Sequence, residues 1–238
     1  MTEQLYTRQL PVLELQIPND VAIIGCGGVG SWVGIFTAMT GVKNISLFDS
    51  DKIEEHNLNR LPYSYHEVGE EKTVALKKFI NHIRPECVIR CFDKINEINI
   101  GYFNQEHIDV FMVCTDNIHS QVMMQNYCKK HKRRFIRVGY DGNHVTLLNH
   151  IPTWVGKKEE VGGYTVVPSW VSPPAMIASL AVYSMCRKRL KITGTMDNVQ
   201  AFEKGEAKRI DDNDNNLFRT WENSNFTYSQ GYGKRKRR

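Results

Sequence analysis

The chain has 238 residues, 31 of them Lys or Arg and 26 Asp or Glu, for a formal charge of +5 at pH 7. The whole excess sits in the last five positions, Lys234, Arg235, Lys236, Arg237 and Arg238, so net charge gives no support to a broad nucleic-acid-binding face on the body. At 41% hydrophobic and 24% charged, the composition is that of a globular domain and excludes collagenous, coiled-coil and wholly disordered classes.

MTEQLYTRQLP at the start lacks a basic-then-apolar leader pattern. No apolar run approaches the roughly 20 residues of a membrane span. Six cysteines without a C-x-x-C pair point to a reducing cytoplasm, with neither a disulfide framework nor a zinc site. The apolar run VAII (21–24) predicts a strand, GCGGVGS (25–31) a glycine turn, WVGIFTAMTG (32–41) a helix and NISLFDSD (44–51) a second strand. Residues 52–71 are polar and irregular. EKTVALKKFINHIR then predicts a helix stopped by Pro85, and VIRCF a strand. IDVFMVCTD (108–116) is an apolar strand ending in a carboxylate, HSQVMMQNYCKKHK a helix and RFIRVGYDG a further strand. After β-like residues 143–154, the loop GKKEEVGG (156–163) leads to a helix from Pro174 to about Arg189. Alternating strands and helices predict an α/β, Rossmann-like fold with a mostly parallel sheet and an antiparallel-like C-terminal portion. The polar composition after Thr193 sets residues 194–238 apart from a nucleotide-binding domain at 1–193, as an extension expected to be partly disordered.

GCGGVG satisfies G-x-G-x-x-G between a strand and a helix. There glycines allow close backbone approach to phosphate oxygens, and the helix N-terminus offers free N–H groups. Asp49 stands 24 residues after Gly25 at the end of the next strand, where a carboxylate can accept hydrogen bonds from ribose hydroxyls. Cys26 within the turn reads as a space-filling residue. A plain dinucleotide site needs no cations close behind that acid. This chain supplies Arg60 after Asp51, Asn57 and Asn59, then Lys72 at the next helix start. A triphosphate of about four negative charges needs such cations, and usually magnesium. Asp116 stands where open α/β sheets bind ligands and can hold that ion. Taken singly, Lys72 reads as a solvated helix-start lysine, Asp116 as a helix cap and Asn57 as a turn former; their order and spacing raise them.

In that order YTRQL, GCGGVGS, LFDSD, NLNR, GEEK and CTDN resemble the ThiF/MoeB-type adenylyltransferases, relatives of ubiquitin-activating enzymes, from about Tyr6 to about Arg189. The resemblance implies ATP-dependent activation, as an acyl-adenylate with release of pyrophosphate, of the C-terminal carboxylate of a ubiquitin-like or sulfur-carrier protein or peptide. It implies that Gly25, Gly27, Gly28 and Gly30 line the phosphate turn, Asp49 binds ribose, and Asp51, Asn57 and Asn117 shape the nucleotide pocket. Arg60 and Lys72 would neutralise phosphates, Asp116 would bind magnesium, and Arg8 would reach the phosphates of a neighbouring subunit in a homodimer. Leu61 and Asn59 depart from the family's common Gln at those positions. The family's paired C-x-x-C motifs are absent, so no structural zinc is expected. Cys186, the one cysteine after Cys128, lies in an apolar helix and reads as buried, which favours adenylation without an enzyme thioester. The Gly162-Gly163 pair could hinge a loop over 156–165 near the substrate tail. Adenylation of a modified tRNA base, with the 234–238 tail on RNA, and a non-catalytic dimeric scaffold are the alternatives. An NAD-dependent oxidoreductase ranks last, since no hydride-transfer site accompanies the turn.

Overall fold

The structure is a computed structural model. It describes residues 2–9, 11–12, 15–141, 144–151 and 169–187, and the backbone of strands at 189–192, 199–203, 206–209, 219–222 and 225–230. After the short helix α1 (Thr2–Leu5), the chain alternates β1 (Asp20–Ile24), α2 (Gly28–Thr40), β2 (Asn44–Phe48), α3 (Lys72–Ile83), β3 (Val88–Phe92), β4 (Val110–Val113), α4 (Ile118–Lys130) and β5 (Arg134–Asp141). β6 (His144–Leu148) and α5 (Ser172–Cys186) follow, then β7 (Arg189–Ile192), β8 (Val199–Glu203), β9 (Glu206–Arg209), β10 (Arg219–Glu222) and β11 (Asn225–Gln230).

One sheet has the order β3-β2-β1-β4-β5-β6-β11-β8-β9, parallel from β3 to β5 and antiparallel beyond; β7 and β10 form a separate antiparallel pair. This is a Rossmann-like α/β fold, parallel from β3 to β5, with β5–β6 the turning point to antiparallel pairing. Ile24 is in register with Phe48 on one side and Val113 on the other, so the loops after β1, β2 and β4 emerge together. Strand order reverses between β1 and β4, and a crevice for ligand opens at such a switch point.

Alternation along the central strands divides the core between the two faces. Val21 and Ile23 pack with residues of α2, α3 and α5; Ala22 and Ile24 pack with Phe111, Val113 and α4 residues Met124, Tyr127 and Cys128. Burial on both faces explains the unbroken apolar runs VAII and VFMV. On the α4 face Phe48 stacks on Phe92 with centroids 4.6 Å apart, and Phe103 meets Phe111 edge-on at 4.8 Å.

Element ends differ from the sequence reading where local chemistry intervenes. α2 starts at Gly28, inside the glycine motif, four residues before the apolar run, and Gly41 ends it in the left-handed conformation at φ 102°. β2 stops at Phe48, leaving Asp49 and Asp51 in the loop. Within the segment read as irregular, 3₁₀ turns form at Glu55–Asn57 and Tyr65–Glu67, each closed by a capping box. α5 runs from Ser172 to Cys186, shifted toward the N-terminus because Pro173 and Pro174 both fit its first turn. The division at residue 193 is a proposal; beyond it the described backbone forms the strands given above.

Candidate nucleotide site

Gly25 leaves β1 at φ +94°, and its N–H donates to the Phe48 carbonyl at 2.7 Å. A Cβ there would stand 2.8 Å from the Thr115 backbone nitrogen, so a glycine is needed both for the turn and for its approach to the loop after β4. Asp49 braces the turn from the second strand: Oδ2 accepts from the Cys26 N–H at 2.6 Å and Oδ1 from the Asp51 N–H at 2.8 Å. Each oxygen can accept again, which leaves the carboxylate able to serve a ligand hydroxyl as well. Burial raises the Asp49 carboxyl above the ordinary carboxylate value, against the pull of these two amides and of Lys72. No side chain caps the start of α2 at Gly27, and a Cβ on Gly27 would meet open space. The end of the helix with partial positive charge therefore faces the crevice.

That crevice is a cavity of about 670 Å³ at the carboxyl ends of the strands. Lys72, 9% exposed, reaches its rim from the start of α3, with Nζ 2.8 Å from Asp51 Oδ2. The Lys72 N–H also donates to the Asp51 carbonyl at 3.0 Å, so backbone and side chain tie α3 to the loop after β2. Lys72 is thus a buried, paired cation and not a solvated one. Arg60 Nη1 donates to the His56 carbonyl at 2.9 Å and to Asn59 Oδ1 at 3.0 Å. The Trp32 indole on α2 donates to the Arg60 carbonyl at 2.9 Å. Gly28 lets this arginine lie against the helix start: a Cβ there would be 3.3 Å from Arg60 Cδ and 3.1 Å from the Tyr140 hydroxyl.

Asn57, buried, accepts from the Glu54 N–H through Oδ1 at 3.2 Å and so closes the loop that carries Arg60. Asn117 caps α4 by accepting from the Ser120 N–H at 2.9 Å. Asp116, three residues past β4, is exposed and has no hydrogen-bond or ion-pair partner among the described residues. The cap of α4 is therefore Asn117, and the carboxylate beside it is left for the cavity.

Gly25, Gly27, Gly28, Asp49, Asp51, Asn57, Arg60, Lys72, Asp116 and Asn117 thus line one cavity. Two expected residues do not. Gly30 lies beneath the turn with its Cα against the Gly25 carbonyl, a packing position. Arg8 is exposed near the start of the chain and is absent from the cavity wall of this single subunit. The loop 156–165 with Gly162 and Gly163, and the tail 234–238, lie outside the described residues. Cys26 and Cys186 are buried; burial holds the Cys186 thiol up at about 11, with Arg134 pulling the other way. Sequence reasoning missed Lys94, Gln121, Arg137, Tyr140 and Thr146 in the same wall. No local motif marks them, because strand pairing and the α4 crossing bring them to the cavity.

Among the described residues no three His, Cys, Asp or Glu side chains cluster as a metal ligand set. Magnesium held partly by nucleotide phosphates needs only one or two protein carboxylates, and the unpartnered Asp116 fits that requirement. Among the described residues no helix is long and apolar enough to cross a membrane.

The ThiF family model matches residues 17–158, a span that holds the glycine turn, Asp49, Arg60, Lys72 and Asp116. The chain belongs to the ThiF family. Ubiquitin-like modifier-activating enzyme 5 of Caenorhabditis elegans is 28% identical over 160 residues, covering 59% of this chain and 38% of that protein. The tRNA threonylcarbamoyladenosine dehydratase of Haemophilus influenzae is 33% identical over 125 residues, covering 51% of this chain and 48% of that protein. The chain thus spans less than half the length of these curated relatives. Among solved structures, E. coli MccB with MccA matches at TM-score 0.65 and 22% identity, over 78% of this chain and 63% of that one. E. coli TcdA, a tRNA N6-threonylcarbamoyladenosine dehydratase, matches at TM-score 0.65 and 18% identity, over 76% of this chain and 92% of that one. These structural likenesses establish the ThiF-family fold. Arg8 lies before the matched span.

Proposed function

We propose that this ThiF-family chain adenylates a carboxylate with ATP. The observation that carries the reading is one cavity in which Arg60, Lys72 and the start of α2 supply positive charge around an unpartnered carboxylate, Asp116. A triphosphate needs that combination, whereas a dinucleotide does not. The adenosine lies along Asp49, whose free lone pairs accept from ribose hydroxyls. The triphosphate lies over Gly27 and Gly28, with Arg60 and Lys72 on its oxygens. Magnesium at Asp116 would draw charge from the phosphates.

A substrate carboxylate oxygen attacks the α-phosphorus in line. A new P–O bond forms, the bond to the bridging oxygen breaks, and its electron pair leaves with pyrophosphate. The carboxylate is already a nucleophile, so no general base is required, and the chain's task is alignment and charge stabilisation. The fit of Arg60 against Gly28 holds the guanidinium at the phosphate turn and limits its freedom.

By its resemblance to relatives such as ubiquitin-like modifier-activating enzyme 5 and MccB with MccA, the acyl substrate is the C-terminus of a ubiquitin-like or sulfur-carrier protein or a peptide. The working unit is a homodimer in which Arg8 of one subunit completes the site of the other. ATP–pyrophosphate exchange, driven by candidate carrier proteins and peptides, tests the reading. Exchange that depends on magnesium and is lost in Asp116→Ala supports it; no exchange by the parent, with ATP binding unchanged in Asp116→Ala, would leave the scaffold reading standing. Similarity to the tRNA dehydratase keeps a modified tRNA base as the second substrate class, and RNA-dependent ATP turnover lost on deleting 234–238 would select it.

A further inference from the structure

The far wall of the cavity carries a cation that the nucleotide does not account for. Arg137 lies in β5, paired with Val113 of β4 and Leu148 of β6. Its strand neighbours Ile136 and Val138 point into the α2–α3–α5 core, so Arg137 stands on the opposite, α4-covered face. Nε donates to Gln121 Oε1 at 2.8 Å, and Gln121 Nε2 in turn donates to the Thr115 carbonyl at 2.7 Å. One edge of the guanidinium is therefore fixed to α4, which in turn holds the loop carrying Asp116.

The other edge has no hydrogen-bond partner among the described residues. Nη1 is buried with no acceptor, and no carboxylate lies within 4 Å of Arg137 among the described residues. Desolvation alone pulls its pKa down, with no neighbouring anion to restore it. A largely buried cation without a counter-charge is costly, and an incoming oxyanion would relieve that cost.

The guanidinium extends along β5 toward the cavity. A Cβ on Gly139 would lie 3.9 Å from both Nη1 and Nη2, so glycine at 139 puts no side chain over the Nη2 end of the fork, which is not enclosed as Nη1 is. Thr146 pairs with Gly139 across the β5–β6 ladder and lines the same cavity, placing a hydroxyl beside the gap. β5 is two strands from β1, roughly 10 Å across the sheet. That offset separates Arg137 from the glycine turn that follows β1.

We infer that Arg137 and Thr146, across the gap at Gly139, form an oxyanion receptor that docks the carboxylate end of the acyl substrate. The inference rests on the adenylation reading. Carboxylate and guanidinium make parallel charge-assisted hydrogen bonds, and Gln121 presets the plane of the fork. Because Gln121 also holds Thr115, filling the receptor is felt at the loop of Asp116. A nucleotide phosphate shares the oxyanion chemistry, so the experiment separates the two sources.

The full chain, labelled for amide NMR, is titrated with diglycine to about 50 mM, enough to load a site of millimolar Kd, and in parallel with diglycine amide. The receptor predicts shifts at the Gly139 and Thr146 amides with diglycine, weakened about tenfold or more by amidation and by Arg137→Gln. Absence of those shifts, or equal binding by the amide or by the variant, overturns it. The non-hydrolysable analogue AMPCPP with magnesium is titrated separately. Its affinity should change less than about threefold in Arg137→Gln; a loss of tenfold or more makes the bound oxyanion a phosphate and overturns the carboxylate assignment. Gly139→Leu keeps the guanidinium but covers it, and should abolish the diglycine shifts at the Thr146 amide even where Arg137→Gln fails to fold. AMPCPP binding to the parent chain reports on the adenylation reading by itself, so the two failures are distinguishable.

Discussion

Lys72 Nζ stands 2.8 Å from Asp51 Oδ2, yet the two partners meet solvent unequally: the lysine side chain is 11% exposed and the aspartate 66%. The pair joins the start of α3 to the loop after β2 at the cavity rim. Its contribution to folding is modest because the carboxylate is largely hydrated, and the attraction is screened accordingly. On the adenylation reading proposed above, its placement beside Asp49 and the glycine turn would give it a second use, as a fixed charge near the phosphates.

Lys72→Ala therefore separates binding from folding. Asp51 returns to water, and thermal denaturation should show a loss under about 1 kcal/mol. Nucleotide-dependent activity should fall about tenfold or more, since an aligned cation at a phosphate is lost. A collapse in stability with activity per folded molecule retained would assign Lys72 to the fold alone.

Asp49→Asn should weaken the turn. One amide oxygen replaces a carboxylate that accepts from both Cys26 and Asp51, and the new NH₂ faces a backbone N–H. The expected cost is about 1–3 kcal/mol in denaturant unfolding at neutral pH, together with weaker nucleotide binding. The pH dependence has a defined sign. Burial raises the folded-state pKa, so between the unfolded and folded values the native state binds more protons, and the contribution of Asp49 to stability falls as pH rises through that window. Asn at this position should remove that slope from the difference between variant and parent.

Gly25→Ala and Gly27→Ala differ by two positions and should differ in kind. The first forces a side chain into φ +94° and against the Thr115 backbone; the second projects a methyl into open space. A destabilisation of at least about 1–2 kcal/mol is expected for Gly25→Ala, and less than about 0.5 kcal/mol for Gly27→Ala, read from melting temperatures. Equal effects would contradict the turn geometry.

Arg134→Ala tests packing away from the cavity. Its Nη1 and Nη2 donate to the Met185 and Ser184 carbonyls at 2.7 and 2.6 Å, closing the C-terminus of α5. Loss of two charge-assisted bonds to carbonyls of the last helical turn should cost about 1–3 kcal/mol in chemical denaturation, with no change in nucleotide affinity.

The central strands were legible because burial on both faces leaves an unbroken apolar run, as at Val21–Ile24 and Val110–Val113. The glycine turn, Asp49 and Asp116 were legible because each lies at or near the end of such a run, and Arg60 and Lys72 because they follow Asp49 in a fixed order. The start of α2 at Gly28 was hidden, since a helix period cannot be read through glycines. The burial of Lys72 and the cap formed by Asn117 depend on partners across a loop or within a helix turn, which single residues do not announce. Arg137 and Gln121 are 16 positions apart and meet because α4 crosses back over β5. Their pairing belongs to tertiary structure alone.

Equilibrium titration with AMPCPP and magnesium, against NAD, on the parent chain and Lys72→Ala tests the central claim most directly. The account predicts binding of AMPCPP with magnesium, weakened about tenfold or more by the substitution, and far weaker binding of NAD. Tight NAD binding that ignores Lys72, with no AMPCPP binding, would contradict it.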